Sequence, residues 1–83
     1  MSRLNLKVGD IVRIPKYSRL FGKVDSSVDR QMAKITYRVT KVQKDFCGSD
    51  EEGWFDDISL VEAETGERFP YMLCDASVEK INA

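Results

Sequence analysis

Apolar and polar residues alternate between positions 34 and 75, and this alternation constrains the fold more than any other feature of the chain. Ile35, Tyr37 and Val39 occupy every second position, with polar residues between them. A period of two is typical of a strand that buries one face. We therefore predict three consecutive antiparallel strands, over residues 33–44, 54–63 and 67–74.

Two shorter segments bring the predicted strands to five. The first follows a Gly-Asp turn signal, and its residues Val12 and Ile14 share one face. Pro15 ends this strand because its nitrogen cannot donate a hydrogen bond to a neighbouring strand. The last strand covers residues 78–81 and follows a single helical turn at residues 75–77.

The chain has 83 residues, which is enough for one domain and no more. Domains of this size bury only about 60–65% of the surface that the unfolded chain exposes, so a deep enclosed active site is not expected. The five strands predict an all-β fold, a small five-stranded SH3-like barrel over residues 1–83. In this prediction residues 1–7 form a loosely held arm, and one long loop follows strand one.

The long loop covers residues 16–33 and exceeds the ~12–15 residues beyond which loops are usually functional or disordered. Serine and aspartate residues near its middle favour a helix of one or two turns at residues 26–32, because both residue types cap helices. The loop therefore has the length and the composition of a functional segment.

Details of the three central strands are also predicted. Val42 falls out of phase with the preceding alternation and indicates a bulge just before it. Residues 45–53 are polar and predict a loop. The Glu-Thr-Gly turn that follows strand three requires a positive φ at Gly66, and the resulting register places Glu62 opposite Arg68.

The amino-acid composition excludes several classes of chemistry. Histidine is absent, so catalysis by imidazole and nucleophiles activated by histidine are excluded. Cys47 and Cys74 predict two reduced thiols in a chain without a secretory signal, and a zinc site needs more ligands of these types. No apolar run approaches the ~20 residues of a membrane span. We expect a cytoplasmic protein that is not an enzyme and takes no cofactor, metal or membrane partner.

The charges are unevenly distributed along the chain. Residues 1–44 carry eleven bases and three acids, a net charge of +8, whereas residues 45–83 carry two bases and eleven acids, a net charge of −9. Such asymmetry can mark a half of the protein that faces nucleic acid. Strands from both halves can also interleave in a barrel so that their charges cancel, and both interpretations remain open.

An aromatic and basic sequence, K-Y-S-R-L-F at positions 16–21, opens the long loop. Aromatic rings offer stacking faces and bases neutralise phosphate, which is the chemistry that binds nucleic acid. Tyrosine and arginine are also enriched at protein interfaces. A third interpretation is structural, in which Leu20 and Phe21 cover one end of the barrel.

Bases on the first two strands extend this candidate site. If strands one and two are neighbours, Arg13, Arg38, Lys41 and Lys44 form a basic strip, although ordinary solvated strand residues give the same pattern. The predicted binding residues are Arg13, Lys16, Tyr17, Arg19, Phe21, Lys23, Arg38 and Lys41.

The acidic half of the chain contains no recognisable cation site. The run of acids at residues 50–52 lacks the spacing of a calcium loop and predicts a solvated acidic segment. Asp56 and Asp57 are adjacent on a strand and therefore point to opposite faces. Of the neighbouring rings, Trp54 is predicted to lie in the core and Phe55 outside it.

Two short motifs resemble a known family. The sequences V-G-D-I-V-R-I at positions 8–14 and F-G-K-V at positions 21–24 resemble the opening of KOW-type SH3-like domains. This resemblance implies a small β-barrel that contacts nucleic acid or a polymerase. The predicted function is a non-catalytic binding module for RNA, DNA or a nucleoprotein complex of the transcription or translation type. The alternative is a protein–protein adaptor or inhibitor that works through its acidic C-terminal half.

Overall fold

The computed structural model describes residues 5–81 and contains five antiparallel strands in one sheet. The strands are β1 (Ile11–Arg13), β2 (Tyr37–Ser49), β3 (Gly53–Glu62), β4 (Leu73–Cys74) and β5 (Glu79–Lys80). Their order across the sheet is β4–β3–β2–β1–β5, which confirms the predicted all-β class. Strands β4 and β5 are the two edges, so the sheet itself is not closed.

The core lies against one face of the sheet and follows the predicted alternation. Val12 of β1, Tyr37 and Val39 of β2, and Ile58 and Leu60 of β3 are all buried. Burying a side chain of this size contributes about 1.5–3 kcal/mol to folding. The other buried apolar residues are Leu6, Ile14, Phe69, Leu73 and Val78.

Part of the predicted N-terminal arm is held to the sheet. Residues 1–4 lie outside the described residues, but Leu6 is buried in the core. The backbone N–H of Lys7 donates to Asp10 Oδ2 (2.9 Å), and the N–H of Gly9 donates to the carbonyl of Val39 (2.8 Å). The chain is therefore attached from Leu6 onward, whereas the prediction placed this attachment after residue 7.

The predicted bulge is present in β2. The register with β3 shifts between Val39 and Lys41, which leaves Thr40 as the additional residue. The Thr40 hydroxyl donates to the carbonyl of Ser59 across the ladder (3.2 Å). Because of the additional residue, Val42 packs against the core despite being out of phase with Val39.

The polar loop predicted for residues 45–53 is wrong, because β2 continues through most of it. Ser49 pairs with Gly53, so only residues 50–52 form the turn, and a second register shift lies between Gln43 and Cys47. This part of the hairpin extends beyond the core. A two-stranded segment without a buried face needs no alternation of apolar residues. The sequence therefore does not reveal that β2 continues beyond residue 44.

The predicted fourth strand, residues 67–74, is also wrong in extent. Only Leu73–Cys74 form β4, and one isolated bridge joins Arg68 to Val61. Between the bridge and β4 the chain departs from β3. Pro70 lies in this interval and has no N–H to donate to a ladder.

The hairpin turn before Arg68 has a different register from the predicted one. Val61 bridges Arg68, and the N–H of Glu62 donates to the carbonyl of Glu67 (2.8 Å), so Glu62 does not lie opposite Arg68. Gly66 has the predicted positive φ, 75°. Its N–H donates to the carbonyl of Glu62 (2.8 Å), as in a turn of α-helix. The turn therefore contains the four residues 63–66, whereas the prediction gave it the three residues 64–66.

Three short helical segments connect the strands. The long connection after β1 contains a 3₁₀ helix, Tyr17–Phe21, and the helix α1, Ser26–Met32, which matches the helix predicted for residues 26–32. A second 3₁₀ helix, Asp75–Ser77, joins β4 to β5 where a single turn was predicted.

Candidate binding surface

The connection between β1 and β2 is a folded unit that contains two helical segments. Asp25 begins α1 by accepting hydrogen bonds at Oδ1 from the N–H groups of Ser27 (3.0 Å) and Val28 (3.3 Å). Such a cap satisfies donors that the first helical turn leaves without partners. Asp25 therefore caps the helix as predicted, whereas Ser27 takes part only through its backbone N–H.

Ser18 joins the two helical segments. Its N–H donates to Asp29 Oδ1 of α1 (2.8 Å), and its Oγ accepts from the N–H of Asp25 (2.9 Å). Ser18 is itself buried. These bonds hold the 3₁₀ helix against α1, so the aromatic and basic side chains of the 3₁₀ helix project from a fixed backbone.

Five aromatic rings form a continuous cluster that reaches from the core to the surface. Tyr37 and Phe69 are buried, and their ring centroids lie 5.4 Å apart. Tyr17 packs against Phe69 (6.4 Å) and against Phe21 (5.4 Å). Tyr71 contacts both Phe69 (5.6 Å) and Phe21 (5.3 Å). We call these five residues the aromatic cluster.

The outer end of the aromatic cluster is open to solvent. Phe21 is 52% exposed and Tyr71 is 49% exposed. The two rings meet edge to face at 87°, and we call them the ring pair. Met72, next to Tyr71, is 74% exposed. Tyr71 packs against the buried Phe69, and Phe21 packs against the partly buried Tyr17. These contacts restrict the ring pair, so it loses less conformational freedom on binding than two free side chains would.

Tyr17 and Tyr37 of the cluster remain neutral at physiological pH. Burial raises the pKa of Tyr17 above its ordinary value, and the neighbouring Tyr71 adds to this rise. Burial also raises the pKa of Tyr37, with smaller contributions from Tyr17 and Glu62. Both hydroxyls therefore keep their protons, and the cluster carries no negative charge from them.

Three predicted cations lie on the folded connection beside the ring pair. Lys16, Arg19 and Lys23 are exposed, and no ion pair involves them within the described part of the chain. The carboxylates of Asp25 and Asp29 are engaged as acceptors for backbone N–H groups. The sequence therefore placed Lys16, Tyr17, Arg19, Phe21 and Lys23 on one folded segment, although Tyr17 contributes mainly to packing.

Strands β1 and β2 are neighbours, as the basic strip requires, but two of its cations are already paired. Arg13 donates from Nε and Nη2 to the carboxylate of Glu79 (3.1 and 3.2 Å), and this hydrogen bonding raises the pKa of Arg13. Lys44 forms an ion pair with the buried Asp56 (3.1 Å). The predicted strip is therefore reduced to Arg38 and Lys41, both exposed on β2.

Residues between positions 68 and 72 line an open groove that the sequence analysis missed. Its volume is about 560 Å³, and Asp57 and Ser59 of β3 form its other wall. Arg68, Tyr71 and Met72 all contribute to it. The signal that could have revealed it is proline inside a predicted strand, since proline marks an edge or an interruption of a sheet.

The tip of the β2–β3 hairpin departs from another prediction. Trp54 is 44% exposed rather than buried, and its Nε1–H donates to Asp50 Oδ1 (3.4 Å), whereas Phe55 is partly buried. The prediction failed because Trp54 lies in the part of the hairpin that extends past the core. Asp56 is buried and Asp57 is partly exposed, in agreement with their predicted opposite orientation.

Within residues 5–81, no group of three or more His, Cys, Asp or Glu side chains is arranged to hold a metal ion. Cys47 and Cys74 are both free thiols. None of the helices in the same residues is long and apolar enough to cross a membrane.

Comparison with known proteins finds no match for this chain among protein-family models, curated proteins or solved structures. The resemblance of positions 8–14 and 21–24 to KOW-type domains stays a prediction. Function is therefore inferred from the chemistry of the surface itself.

Proposed function

We propose that this protein is a non-catalytic binding module that contacts RNA or DNA, alone or within a nucleoprotein complex. The contact is made by the aromatic–basic surface, which consists of the ring pair together with Lys16, Arg19 and Lys23. The observation that carries the proposal is that Phe21 of the half-exposed ring pair shares one folded connection with three exposed cations, which have no ion-pair partner among the described residues.

This combination suits a nucleic acid, because its bases can stack on the rings and its phosphates can pair with the cations. Stacking of a base on an aromatic side chain contributes about 1–3 kcal/mol and does not depend on base identity. Each cation that neutralises a phosphate releases counterions, which makes binding dependent on salt. A nearly neutral protein can bind in this way when its cations are concentrated at one surface.

The architecture we propose for the module is the SH3-like barrel. The 3₁₀ helix Asp75–Ser77 connects the two edge strands, and a helical turn before a short last strand is the usual ending of such a barrel. The KOW-like motifs at positions 8–14 and 21–24 support the same architecture, and they include Phe21 and Lys23 of the proposed surface.

The proposal is tested by fluorescence anisotropy with labelled RNA and DNA at low and at physiological salt. We expect binding at low salt that weakens as salt is added. The double substitution Arg19→Ala and Lys23→Ala should reduce the salt dependence by roughly one unit of slope per lost phosphate contact.

Arg13→Ala is the matched control for each single substitution, because it also removes one positive charge but at a cation that Glu79 already neutralises. Its effect should be smaller than that of either Arg19→Ala or Lys23→Ala alone. An absence of binding to any RNA or DNA at low salt would contradict the proposal.

A second candidate function is favoured by the tip of the β2–β3 hairpin. Residues 50–52 are acidic and exposed, and the exposed ring of Trp54 lies beside them. An acidic tip with an indole ring suits a protein adaptor or inhibitor whose partner has a basic surface. This function predicts no affinity for nucleic acid at physiological salt, and loss of the partner when Asp50, Glu51 and Glu52 are neutralised.

A further inference from the structure

The groove beside β3 originates in a mismatch of pairing. Ile58 pairs with Leu73 and Val61 bridges Arg68. Two residues of β3 therefore lie opposite the four residues 69–72, and the longer segment must bow away from the sheet. The bow creates the open space of about 560 Å³ and leaves Met72 exposed at its margin.

A row of cations borders this groove on the outer face of the sheet. Arg38 lies directly opposite Val61, and Val61 lies directly opposite Arg68. Residues that face each other across a ladder point to the same side, and two strand spacings put Arg38 and Arg68 about 10 Å apart. This side is the outer one, because the adjacent Val39 and Leu60 are buried.

Lys41 adds a third cation to the same face, since it lies opposite Ser59 of the groove wall. Arg38, Lys41 and Arg68 are exposed, and none of them forms an ion pair with another described residue. The groove lining itself contains one carboxylate, that of Asp57. The positive charge of this region therefore exceeds its negative charge.

The groove is continuous with the aromatic–basic surface. Tyr71 lines the groove and also forms the ring pair with Phe21 at 5.3 Å. A ligand in the groove can therefore contact Tyr71 and Arg68, which both line it, while Arg38 and Lys41 lie one strand away on the outer face. Rings at one end and cations at the other fit a flexible polyanion that carries planar groups.

We propose that the groove holds a single strand of nucleic acid, with a base against Tyr71 and Met72 and phosphates facing Arg38, Lys41 and Arg68. This inference rests on the proposed function and specifies its ligand. In a duplex the bases are paired and stacked on one another, so their faces cannot reach a ring on a protein surface. In a single strand they can, and successive phosphates can follow the row of cations.

The test compares single strands with duplexes of the same sequence, in both RNA and DNA, at one salt concentration. The full chain should bind the single strands at least about tenfold more tightly than the duplexes. The RNA and DNA arms distinguish which single strand is preferred. Equal affinity for single strands and duplexes would overturn the inference.

Variants of the groove separate this inference from the proposed function. Arg38→Ala and Arg68→Ala should each lower the salt slope for single strands by about 0.7, whereas Arg13→Ala, the matched control, should change it less. Tyr71→Leu keeps an apolar side chain but removes the ring, and should weaken binding about 5- to 150-fold. Asp57→Asn should strengthen binding because Asp57 supplies the one carboxylate among the described residues of the lining.

The outcomes are distinct because Arg38, Arg68 and Asp57 lie outside the aromatic–basic surface, whereas Tyr71 belongs to both the surface and the groove. Binding that depends on Arg19, Lys23 and Tyr71 but is unaffected at Arg38 and Arg68 would overturn the groove and leave the proposed function standing. An absence of binding to every nucleic acid would overturn both. Thermal unfolding of each variant shows whether a loss of binding reflects loss of the fold.

Discussion

Ser18 shows at the scale of a single residue how a polar connection is made rigid. Its backbone N–H and its hydroxyl oxygen bind Asp29 and Asp25, which lie eleven and seven positions away. A buried hydroxyl with a partner contributes about 1 kcal/mol, and a partner left unsatisfied costs more. The side chain that positions the aromatic–basic surface is therefore one that takes no direct part in it.

We predict that Ser18→Ala destabilises the protein by about 1–2 kcal/mol, because the N–H of Asp25 loses its acceptor. Ser27→Ala is the matched control, since only the backbone N–H of Ser27 takes part in the α1 cap. Urea denaturation measures both variants. Equal stability of the two would show that the hydroxyl of Ser18 does not hold the segments together.

At the scale of an element, the outer part of the β2–β3 hairpin is held together outside the core by close contact between its two strands. Near its tip the two backbones approach closely: a Cβ at Gly48 would lie 2.2 Å from the carbonyl oxygen of Gly53 and 2.8 Å from Trp54 Cα. Both are backbone atoms, so they cannot rotate away. The pairing of Cys47 with Phe55 and of Ser49 with Gly53 depends on this close approach.

We predict that Gly48→Ala opens the distal hairpin while the rest of the sheet remains folded. Gly53→Ala is the matched control: φ is also positive at Gly53 (89°), but a Cβ there would meet nothing within 4 Å. Trp54 is the only tryptophan, so its fluorescence reports the change, and amide exchange locates it. Equal spectra and equal exchange in the two variants would contradict a steric role for Gly48.

At the scale of the whole molecule, the opposite charges of the two halves of the chain neither fully cancel nor fully separate. Arg13 and Glu79, 66 positions apart, pair across β1 and β5, and Lys44 pairs with the buried Asp56 (3.1 Å). The cations of the aromatic–basic surface have no such partner among the described residues. Folding therefore neutralises the basic half selectively and concentrates the remaining positive charge.

The stability of the whole molecule should depend on pH through Tyr37. Burial raises the pKa of Tyr37 above 10.0, its ordinary value, so the folded state holds the phenolic proton more tightly than the unfolded chain does. The resulting stabilisation is complete below pH 10.0 and is lost as the pH rises through the folded-state pKa. We predict that wild-type stability falls with pH above this value.

Tyr37→Phe tests this dependence, because phenylalanine has no proton to lose. Urea denaturation near neutral pH and above pH 10.0 should show a smaller loss of stability for the variant than for the wild type. The comparison between the two proteins removes the contribution of lysines, which also titrate at high pH. Parallel losses would contradict the assignment to Tyr37.

Part of the candidate site could be predicted because its residues are neighbours in the sequence. Lys16, Arg19, Phe21 and Lys23 share one short segment, so any fold that exposes the segment brings them together. The rest depends on distant residues. Tyr71 reaches Phe21 because residues 70–72 bow away from β3 after Phe69, whose N–H still donates to the carbonyl of Leu60. Arg13 was assigned to the site because no local pattern reveals its pairing with Glu79, 66 positions away.

The sequence by itself determined the features that depend on local interactions. Alternation located the inner faces of β1 and β2, the phase of Val42 located the bulge, and a capping aspartate located α1. Only the tertiary structure decided where β2 ends, which residue lies opposite Glu62, and which rings reach solvent. These features depend on how far the core extends and on which distant backbone group completes each hydrogen bond, and neither quantity is encoded in a local pattern.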